Sequence, residues 1–242
     1  FNLIETSLKY WESLDSKNKS IFKFHHVSTD EVYGTLPKHA FFNEKSRYSP
    51  RSPYSASKAA SDHIVMSWHH TYGLPVVITN CSNNYGPYQF PEKLIPLTIL
   101  KALSGKEIPI YGDGSNQRDW LFVDDHIDAI LKSINSSKTG LTYCIGGNSV
   151  KTNLQTVESI CSILDNLKPS QKPYKDLISF VKDRPGHDKR YAIDASKIKR
   201  ELNWEPNFSF ENGLEITIDW YLKNLDWCKN MIKNSGYKGD RL

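Results

Sequence analysis

Apolar positions recur along the chain with two different spacings, and their alternation predicts the fold class. The three-to-four-residue spacing typical of amphipathic helices covers residues 1–14, 54–72, 94–104, 124–134, 154–167, 196–202 and 210–225. Short apolar runs predict strands over residues 21–27, 75–80, 108–111, 141–145 and 178–181. Strands that alternate with helices indicate an α/β protein with a parallel sheet at least in its first half.

Composition narrows the classes of partner and the compartment. The 31 basic and 27 acidic residues are well mixed and leave a formal charge of only +4, which does not favour a nucleic-acid-binding protein. No apolar run approaches the roughly 20 residues that a membrane span needs, so we expect no membrane partner. The four cysteines, Cys81, Cys144, Cys161 and Cys228, show no Cys-x-x-Cys spacing. We therefore expect reduced cysteines and a cytoplasmic location.

The run Ser28 to Gly34 places a hydroxyl and two acids at successive positions, Thr29, Asp30 and Glu31. They follow a predicted strand, at the edge where open α/β sheets bind their ligands. Two adjacent carboxylates in a partly enclosed site repel, so one stays protonated as an acid while the other ionises as a base. The alternative is an ordinary loop pair or helix cap.

Tyr54 and Lys58 lie four residues apart on a predicted helix, and therefore on one helical face. A lysine ammonium beside a phenol lowers the pKa of the phenol, so Tyr54 can take a proton from a sugar hydroxyl. By itself this short pattern also fits a surface tyrosine and lysine. Its place after a strand and a polar loop favours the catalytic interpretation.

These two motifs resemble the extended short-chain dehydrogenase/reductase family, and within it the chain looks like the dTDP-glucose 4,6-dehydratases. The likeness covers essentially the whole chain. Besides the runs from Ser28 and Tyr54, it is carried by segments that begin at Asn80, Phe90, Tyr111, Arg118, Asp183 and Tyr191. The pair Asp30 and Glu31 discriminates, since related epimerases lack it and related decarboxylases and GDP-mannose dehydratases tend to keep only the glutamate.

The resemblance implies NAD as cofactor, dTDP-glucose as substrate and a 4-keto-6-deoxy sugar as product. Tyr54 would be the base at the sugar 4-hydroxyl, with Lys58 on the nicotinamide ribose. Glu31 would take the C5 proton and Asp30 would protonate the leaving 6-hydroxyl, with Thr29 donating a hydrogen bond to substrate. Ser28 and Asn84 join Tyr54 and Lys58 as expected cofactor contacts.

The family's nucleotide-sugar contacts match a larger set of positions. They are Asn83, Lys93, Leu94, Pro109, Tyr111, Arg118, Asn153, Asp183, Arg184, Pro185, Gly186, His187 and Tyr237. Arg118 and Arg184 suit a diphosphate, because guanidinium groups pair with phosphate oxygens, although surface arginines are the alternative. His187 has no second His or Cys at ligand spacing, so we expect no metal site.

The expected fold is a Rossmann-like, doubly wound parallel sheet with a smaller α/β substrate-binding lobe. We assign residues 1–80 to the C-terminal part of the dinucleotide-binding domain. Residues 81–242 form mainly the nucleotide-sugar lobe, with some segments returning to the sheet. The Gly-x-Gly-x-x-Gly run of dinucleotide folds is absent from the 242 residues. At about 30 residues per βαβ unit, we expect about a hundred residues, including the phosphate loop, to be missing before Phe1.

Three alternatives and one assembly remain open from the sequence. A related decarboxylase, a related epimerase, or a non-catalytic fragment that binds a nucleotide sugar would share much of this pattern. Apolar residues Trp11, Ile64 and Trp68 on long helices predict a homodimer through helices 1–14 and 54–72. The alternative is that these stripes cover the sheet of their own chain.

Overall fold

The computed structural model describes residues 1–236, which form nine helices and eight strands. The helices are α1 Asn2–Ser13, α2 Ser16–Ile21, α3 Pro53–Tyr72, α4 Leu94–Leu103, α5 Val123–Asn135, α6 Asn153–Leu167, α7 Ser196–Leu202, α8 Phe210–Lys223 and α9 Leu225–Asn234. The strands are β1 Phe24–Thr29, β2 Val76–Cys81, β3 Asn83–Tyr85, β4 Ile108–Tyr111, β5 Gln117–Phe122, β6 Leu141–Ile145, β7 Val150–Thr152 and β8 Ile178–Val181.

The main sheet has the order β1-β2-β6, and both of its pairings are parallel. Successive side chains of a strand point to opposite faces. His26 of β1 lies 3.0 Å from Asp62 of α3, whereas the neighbouring His25 faces Thr79 and is close enough to His126 of α5 to influence its pKa. Helices α3 and α5 therefore cover opposite faces, which confirms the predicted α/β class with a doubly wound parallel sheet.

A second body of structure is built around smaller sheets. Strand β5 pairs in parallel with β3 and antiparallel with β7, while β4 pairs in parallel with β8. Its apolar core joins α4, α6 and α8 to these strands, with residues such as Ile99, Ile160 and Ile218 fully buried. Because β6 lies in the main sheet, part of the chain beyond residue 80 returns to it. The domain boundary at residue 80 stays a prediction.

Local signals fix the ends of α3, the helix that carries Tyr54 and Lys58. Ser52 and Ser55 form a reciprocal capping box, and Pro53 occupies the first turn, where its missing N–H costs no hydrogen bond. Gly73 ends the helix in the left-handed region at φ 72°. The observed start is one residue earlier than the predicted one.

Several elements differ from the sequence-based prediction. Strand β1 begins at Phe24 rather than Ile21, because Asp15 caps a short helix, α2, that reaches Ile21. Strands β3, β5 and β7 and helix α9 were not predicted. Strand β5 was missed because two charged residues, Arg118 and Asp119, interrupt its apolar pattern, although both are buried.

Burial lowers the pKa of His25 and of His126 from 6.5 to about 4; His26 lowers the pKa of His25 further, and His25 lowers that of His126 further. The unfolded chain then binds more protons than the folded one below pH 6.5, so stability is lost as the pH falls towards 4. For His126 the loss is on the order of 3 kcal/mol. We expect a His25→Gln/His126→Gln variant to show a flatter dependence of unfolding free energy on pH over this range.

Urea unfolding at a series of pH values measures that dependence, and His70→Gln serves as the control because His70 is exposed. Equal slopes for the parent and the double variant would contradict the assignment.

Candidate active site

The carboxyl end of β1 projects the predicted acids into the site. Thr29 caps a short 3-10 turn, Asp30–Tyr33, because its Oγ1 accepts a hydrogen bond from the backbone N–H of Glu31 at 3.3 Å. Gly34 ends the turn at φ 84°, and a Cβ there would lie 2.5 Å from the carbonyl oxygen of Ser49. The chain must therefore turn sharply here, which leaves Asp30 and Glu31 at the edge of the sheet.

Asp30 and Glu31 occupy different electrostatic environments. Asp30 is only 2% exposed, and burial, then Glu31, then Asp119 hold the pKa of its carboxyl well above the ordinary value. Burial also raises the pKa of Glu31, but Arg118 opposes the rise more strongly than any other group, with further help from Lys93. The pKa of Asp30 is therefore raised with little opposition, whereas Arg118 and Lys93 oppose the rise in the pKa of Glu31. The assignment of Asp30 as acid and Glu31 as base stays a prediction.

Tyr54 faces this acid pair from the first turn of α3. It is 53% exposed, as a group that must meet a substrate has to be. The pKa of Tyr54 is raised rather than lowered, so the prediction that Lys58 lowers it is wrong for this structure. Partial burial raises that pKa, and the charges of Glu31, Cys81 and Asp30 add to the rise. The Lys58 ammonium instead donates to the carbonyl oxygen of Val27 at 2.7 Å.

Arg118 lies beneath the acids as a fixed positive charge. It is 9% exposed, and its guanidinium donates to the carbonyl oxygens of Gln117 at 2.7 Å and Asp188 at 3.1 Å. The guanidinium also stacks on the ring of Tyr191, 4.6 Å from its centroid. Burial lowers its pKa, while Tyr191, Asp30 and Glu31 raise it. The buried guanidinium is thus held by backbone oxygens and one aromatic face.

Residues 183–187 form a second basic corner. Arg184 Nη2 donates to His187 Nε2 at 2.9 Å, and His187 Nδ1 donates to Asp183 Oδ1 at 2.7 Å. Arg184 also lies over the ring of Tyr111, 5.3 Å from its centroid. Pro185 and Gly186 form the exposed turn between the two basic residues. The corner reaches the acid pair electrostatically, because Arg184 lowers the pKa of Glu31.

The segment from β3 to α4 carries further polar side chains that the sequence predicted as ligand contacts. Asn84 Nδ2 donates to Cys81 Sγ at 3.3 Å and to the carbonyl oxygen of Ser82 at 3.1 Å. The side-chain oxygens of Asn83 and Asn84 are buried without a hydrogen-bond partner within residues 1–236. Such oxygens are costly unless a ligand or water pairs them, so they mark this segment as part of a binding site.

The remaining predicted residues are placed as follows. The Ser28 hydroxyl is buried and donates to Asp62, so its side chain is committed within the chain. Exposed Lys93 precedes Leu94, the first residue of α4. Pro109 and Tyr111 belong to β4, and Asn153 begins α6. Tyr237 lies outside the described residues.

The chain was compared with protein families and with known proteins. Residues 1–217 match the family model described as GDP-mannose 4,6 dehydratase. A dTDP-glucose 4,6-dehydratase of Xanthomonas campestris pv. campestris is 54% identical over 242 residues, which are 99% of this chain and 69% of that protein. The chain belongs to the family of the dTDP-glucose 4,6-dehydratases.

Solved structures agree with this family and with the fold. The dTDP-glucose 4,6-dehydratase of Bacillus anthracis, solved in complex with NAD, matches with a TM-score of 0.84 and 48% identity, covering 95% of this chain and 68% of that one. A UDP-glucuronic acid 4-epimerase of Bacillus cereus, solved with UDP-glucuronic acid and NAD, matches at 28% identity with a TM-score of 0.76, covering 89% and 65%. The resemblance inferred from the sequence is confirmed.

Sequence reasoning missed several residues that shape the site of this dTDP-glucose 4,6-dehydratase family member. Asp188 and Tyr191 hold Arg118, and the Tyr191 hydroxyl donates to Asp188 Oδ2 at 2.5 Å. Asp119 lies close enough to raise the pKa of Asp30, and its own pKa is raised by burial to about 6. The sequence signal for Asp119 is its place directly after Arg118, within strand β5.

Residues 1–236 lack two features, a metal-binding cluster and a membrane-spanning helix. They contain no group of three or more His, Cys, Asp or Glu side chains placed to hold a metal ion. No helix in this described part is both long and apolar enough to cross a membrane. All four cysteines are free.

Arg118 is the cation that lowers the pKa of Glu31 most, so an Arg118→Met variant should raise that pKa. An Arg184→Met variant should raise it less, since Arg184 is exposed and solvent screens its charge. Carbon-13 NMR titration of the Glu31 carboxyl measures both shifts. An unchanged or lowered pKa in Arg118→Met would contradict the electrostatic assignment.

Proposed function

We propose that the protein of which this chain forms the catalytic and sugar-nucleotide part converts dTDP-glucose to dTDP-4-keto-6-deoxyglucose and water, in deoxysugar biosynthesis. The observation that carries the proposal is the acid pair at the end of β1, where the pKa of Asp30 is raised well above its ordinary value and Arg118 opposes the rise in the pKa of Glu31. An elimination of water needs such an acid and base on neighbouring atoms of one sugar. The 54% identity to a dTDP-glucose 4,6-dehydratase supports the choice of substrate.

Tyr54 is proposed as the base that takes the proton of the sugar 4-hydroxyl. Its exposure on the first turn of α3 leaves the phenol open to a substrate. The neighbouring acids raise its pKa, so ionisation of Tyr54 requires a cation closer than the present position of the Lys58 ammonium.

Glu31 is proposed to remove the C5 proton, which the adjacent C4 ketone makes acidic. Asp30 then gives its proton to the leaving 6-hydroxyl, and water departs. Thr29 contacts both acids, because its Oγ1 lies 3.5 Å from Asp30 Oδ1 and accepts a hydrogen bond from the backbone N–H of Glu31. A carboxyl group with a raised pKa keeps its proton until the leaving oxygen needs it.

The residues present fit the nicotinamide end of NAD, the cofactor bound in the Bacillus anthracis relative. The unpaired side-chain oxygens of Asn83 and Asn84 are open to a ligand, and Asn84 bonds to Cys81, which is close enough to Tyr54 to raise its pKa. NAD, when bound, supplies the hydride acceptor at C4 and the donor at C6, so no net oxidation results. The sequence contains no Gly-x-Gly-x-x-Gly run, so the pyrophosphate contacts of that motif lie outside these 242 residues.

The substrate diphosphate is proposed to bind between Arg118 and the corner of Arg184 and His187. Both arginines influence Glu31, so they border the same space. Tyr111 stacks under Arg184 and limits where its guanidinium can point. A planar guanidinium that is already oriented loses less entropy when it pairs with phosphate oxygens. Asn83, Lys93, Leu94, Pro109, Asn153 and Tyr237 remain proposed nucleotide-sugar contacts.

In the full-length enzyme, Tyr54→Phe should abolish the initial oxidation, because the phenol has no replacement as proton acceptor. Glu31→Gln and Asp30→Asn should retain the oxidation and slow the elimination by about 10²- to 10⁴-fold. Their double variant should cost less than the product of the single effects, because both act in one elimination. After mixing with dTDP-glucose, absorbance of reduced nicotinamide should accumulate in the carboxylate variants only.

The matched control for the tyrosine is Tyr72→Phe, at the other end of α3, which should leave turnover unchanged. Carboxylate variants that form no reduced nicotinamide, or that make product at the parental rate, would show that the assigned roles are wrong.

A cytoplasmic location and a homodimeric assembly are also proposed for the protein. Its four cysteines are free, as the reducing cytoplasm would keep them. Trp11, Ile64 and Trp68 pack against the apolar cluster beneath α1 and are only partly exposed, so they are weaker candidates for an interface than the sequence suggested. Other positions on α1 favour the dimer, because Leu3 and Tyr10 are 72% and 58% exposed and lie seven residues apart.

We expect a Leu3→Glu/Tyr10→Glu variant to sediment as a monomer at micromolar concentration, whereas the parent sediments as a dimer. Placing charges at the centre of an apolar contact removes its driving force. Leu131→Glu is the control, because Leu131 is a similarly exposed leucine on α5. A monomeric parent, or a double variant that stays dimeric, would exclude this interface.

A further inference from the structure

The proposed reaction requires two elements to act on adjacent carbons of one sugar ring. Helix α3 carries Tyr54 and Lys58, and the end of β1 carries Thr29, Asp30 and Glu31. Their separation must be held within about 0.5 Å for efficient catalysis. We infer that Asp62, a buried carboxylate with no assigned role, is the positioning residue that fixes α3 against the end of β1.

Asp62 lies four residues beyond Lys58 and eight beyond Tyr54, on the same face of α3. This face is directed at β1, since the Lys58 ammonium donates to the carbonyl oxygen of Val27. Asp62 is 1% exposed. The helix thus presents three polar side chains in a row, of which the first is open to substrate and the last is fully enclosed.

Four side chains from outside α3 converge on the Asp62 carboxylate. Oδ2 accepts hydrogen bonds from the Ser28 hydroxyl at 2.9 Å, the Tyr48 hydroxyl at 2.8 Å and Asn80 Nδ2 at 3.1 Å. His26 Nε2 lies 3.0 Å from Oδ1. One carboxylate thereby joins β1, β2 and the loop before α3 to the catalytic helix.

Asn80 extends this connection to the catalytic residues themselves. Its Nδ2 donates both to Asp62 and to the carbonyl oxygen of Thr29, at 3.2 Å. That carbonyl directly precedes the Asp30 peptide. A shift of Asp62 therefore displaces the backbone from which Asp30 and Glu31 project.

The charge of Asp62 explains why a carboxylate serves here. Burial alone would raise its pKa, but the adjacent His26 ring and the hydrogen bonds from Ser28, Tyr48 and Asn80 outweigh burial and lower it. Hydrogen bonds to an ionised acceptor are shorter and stronger than neutral ones. An apolar residue of the same size could fill the space, but it would not set the direction of the three donors or hold the His26 ring beside them.

The inference rests on the proposed function, and its test uses the full-length enzyme with dTDP-glucose and NAD. Asp62→Asn should lower kcat by about 10- to 100-fold, as expected for a misplacement of about 1 Å. The KM for the nucleotide sugar should stay within about twofold, because Arg118 and Arg184 are not bonded to the network. Tyr48→Phe, which removes one donor and keeps the fold, should lower kcat less.

Asp125→Asn is the matched control. Asp125 is also 1% exposed and also accepts several hydrogen bonds, from the N–H groups of Asn207 at 2.9 Å and Phe208 at 3.1 Å. These partners lie far along the chain from β1 and α3. We expect Asp125→Asn to lower the melting temperature as much as Asp62→Asn does while leaving kcat unchanged.

Three outcomes would overturn the inference: a parental kcat in Asp62→Asn, a raised KM with unchanged kcat, or an equal loss of kcat in Asp125→Asn. Failure of the parent enzyme to convert dTDP-glucose would instead overturn the proposed function. A nitrogen-15 NMR spectrum of His26 provides a readout independent of turnover. The ring nitrogen shifts should differ between the parent and Asp62→Asn, because Nε2 lies 3.0 Å from Asp62 Oδ1.

Discussion

The parallel pairing of β1 with β2 is the constraint on which the rest of the site depends. Its register aligns Ser28 with Asn80 and Thr29 with Cys81. A slip of one residue would turn every side chain of β1 to the opposite face. His26 and Ser28 would then leave Asp62, and the carbonyl of Thr29 would leave Asn80. The positions of Asp30 and Glu31 are therefore set by backbone pairing one to three residues earlier in the chain.

The site concentrates acids and offsets them with one buried cation, Arg118, and with the exposed Lys93 and Arg184. Asp30, Glu31 and Asp119 all have raised pKa values, and burial is the first cause in each case. Arg118 is the nearest compensating charge, and backbone carbonyls hold it in place. Arg118 affects the two carboxyl groups differently. It lowers the pKa of Glu31 more than any other group does, whereas at Asp30 the neighbouring acids Glu31 and Asp119 raise the pKa more than Arg118 lowers it. This asymmetry separates an acid from a base that stand next to each other in sequence.

Sequence reasoning succeeded where a pattern is local. Strands β4, β6 and β8 and helix α7 have the predicted bounds, because each is a short run of one period between clear turn signals. It failed where burial contradicts polarity, as in β5, whose Arg118 and Asp119 are charged but enclosed.

The candidate acids, the tyrosine and the arginines were all found by motif, yet their surroundings were not. The contacts of Asp62 join residues up to 36 positions away, and no spacing rule indicates them. The raised pKa of Tyr54 was missed for the same reason, because Glu31 and Asp30 approach it only in the folded chain.

Proton balance places one further demand on this arrangement. In the proposed reaction Glu31 takes a proton from C5 and returns it to C5, so it ends unchanged. Tyr54 ends with one proton more, and Asp30 with one fewer. A proton must therefore pass from Tyr54 to Asp30 before the next turnover. The raised pKa of Asp30 favours its side of this transfer, whereas the raised pKa of Tyr54 opposes release. Asp30 is close enough to Tyr54 to raise its pKa. A cation beside Tyr54 would lower that pKa, and would therefore favour both the initial oxidation and the final proton transfer to Asp30.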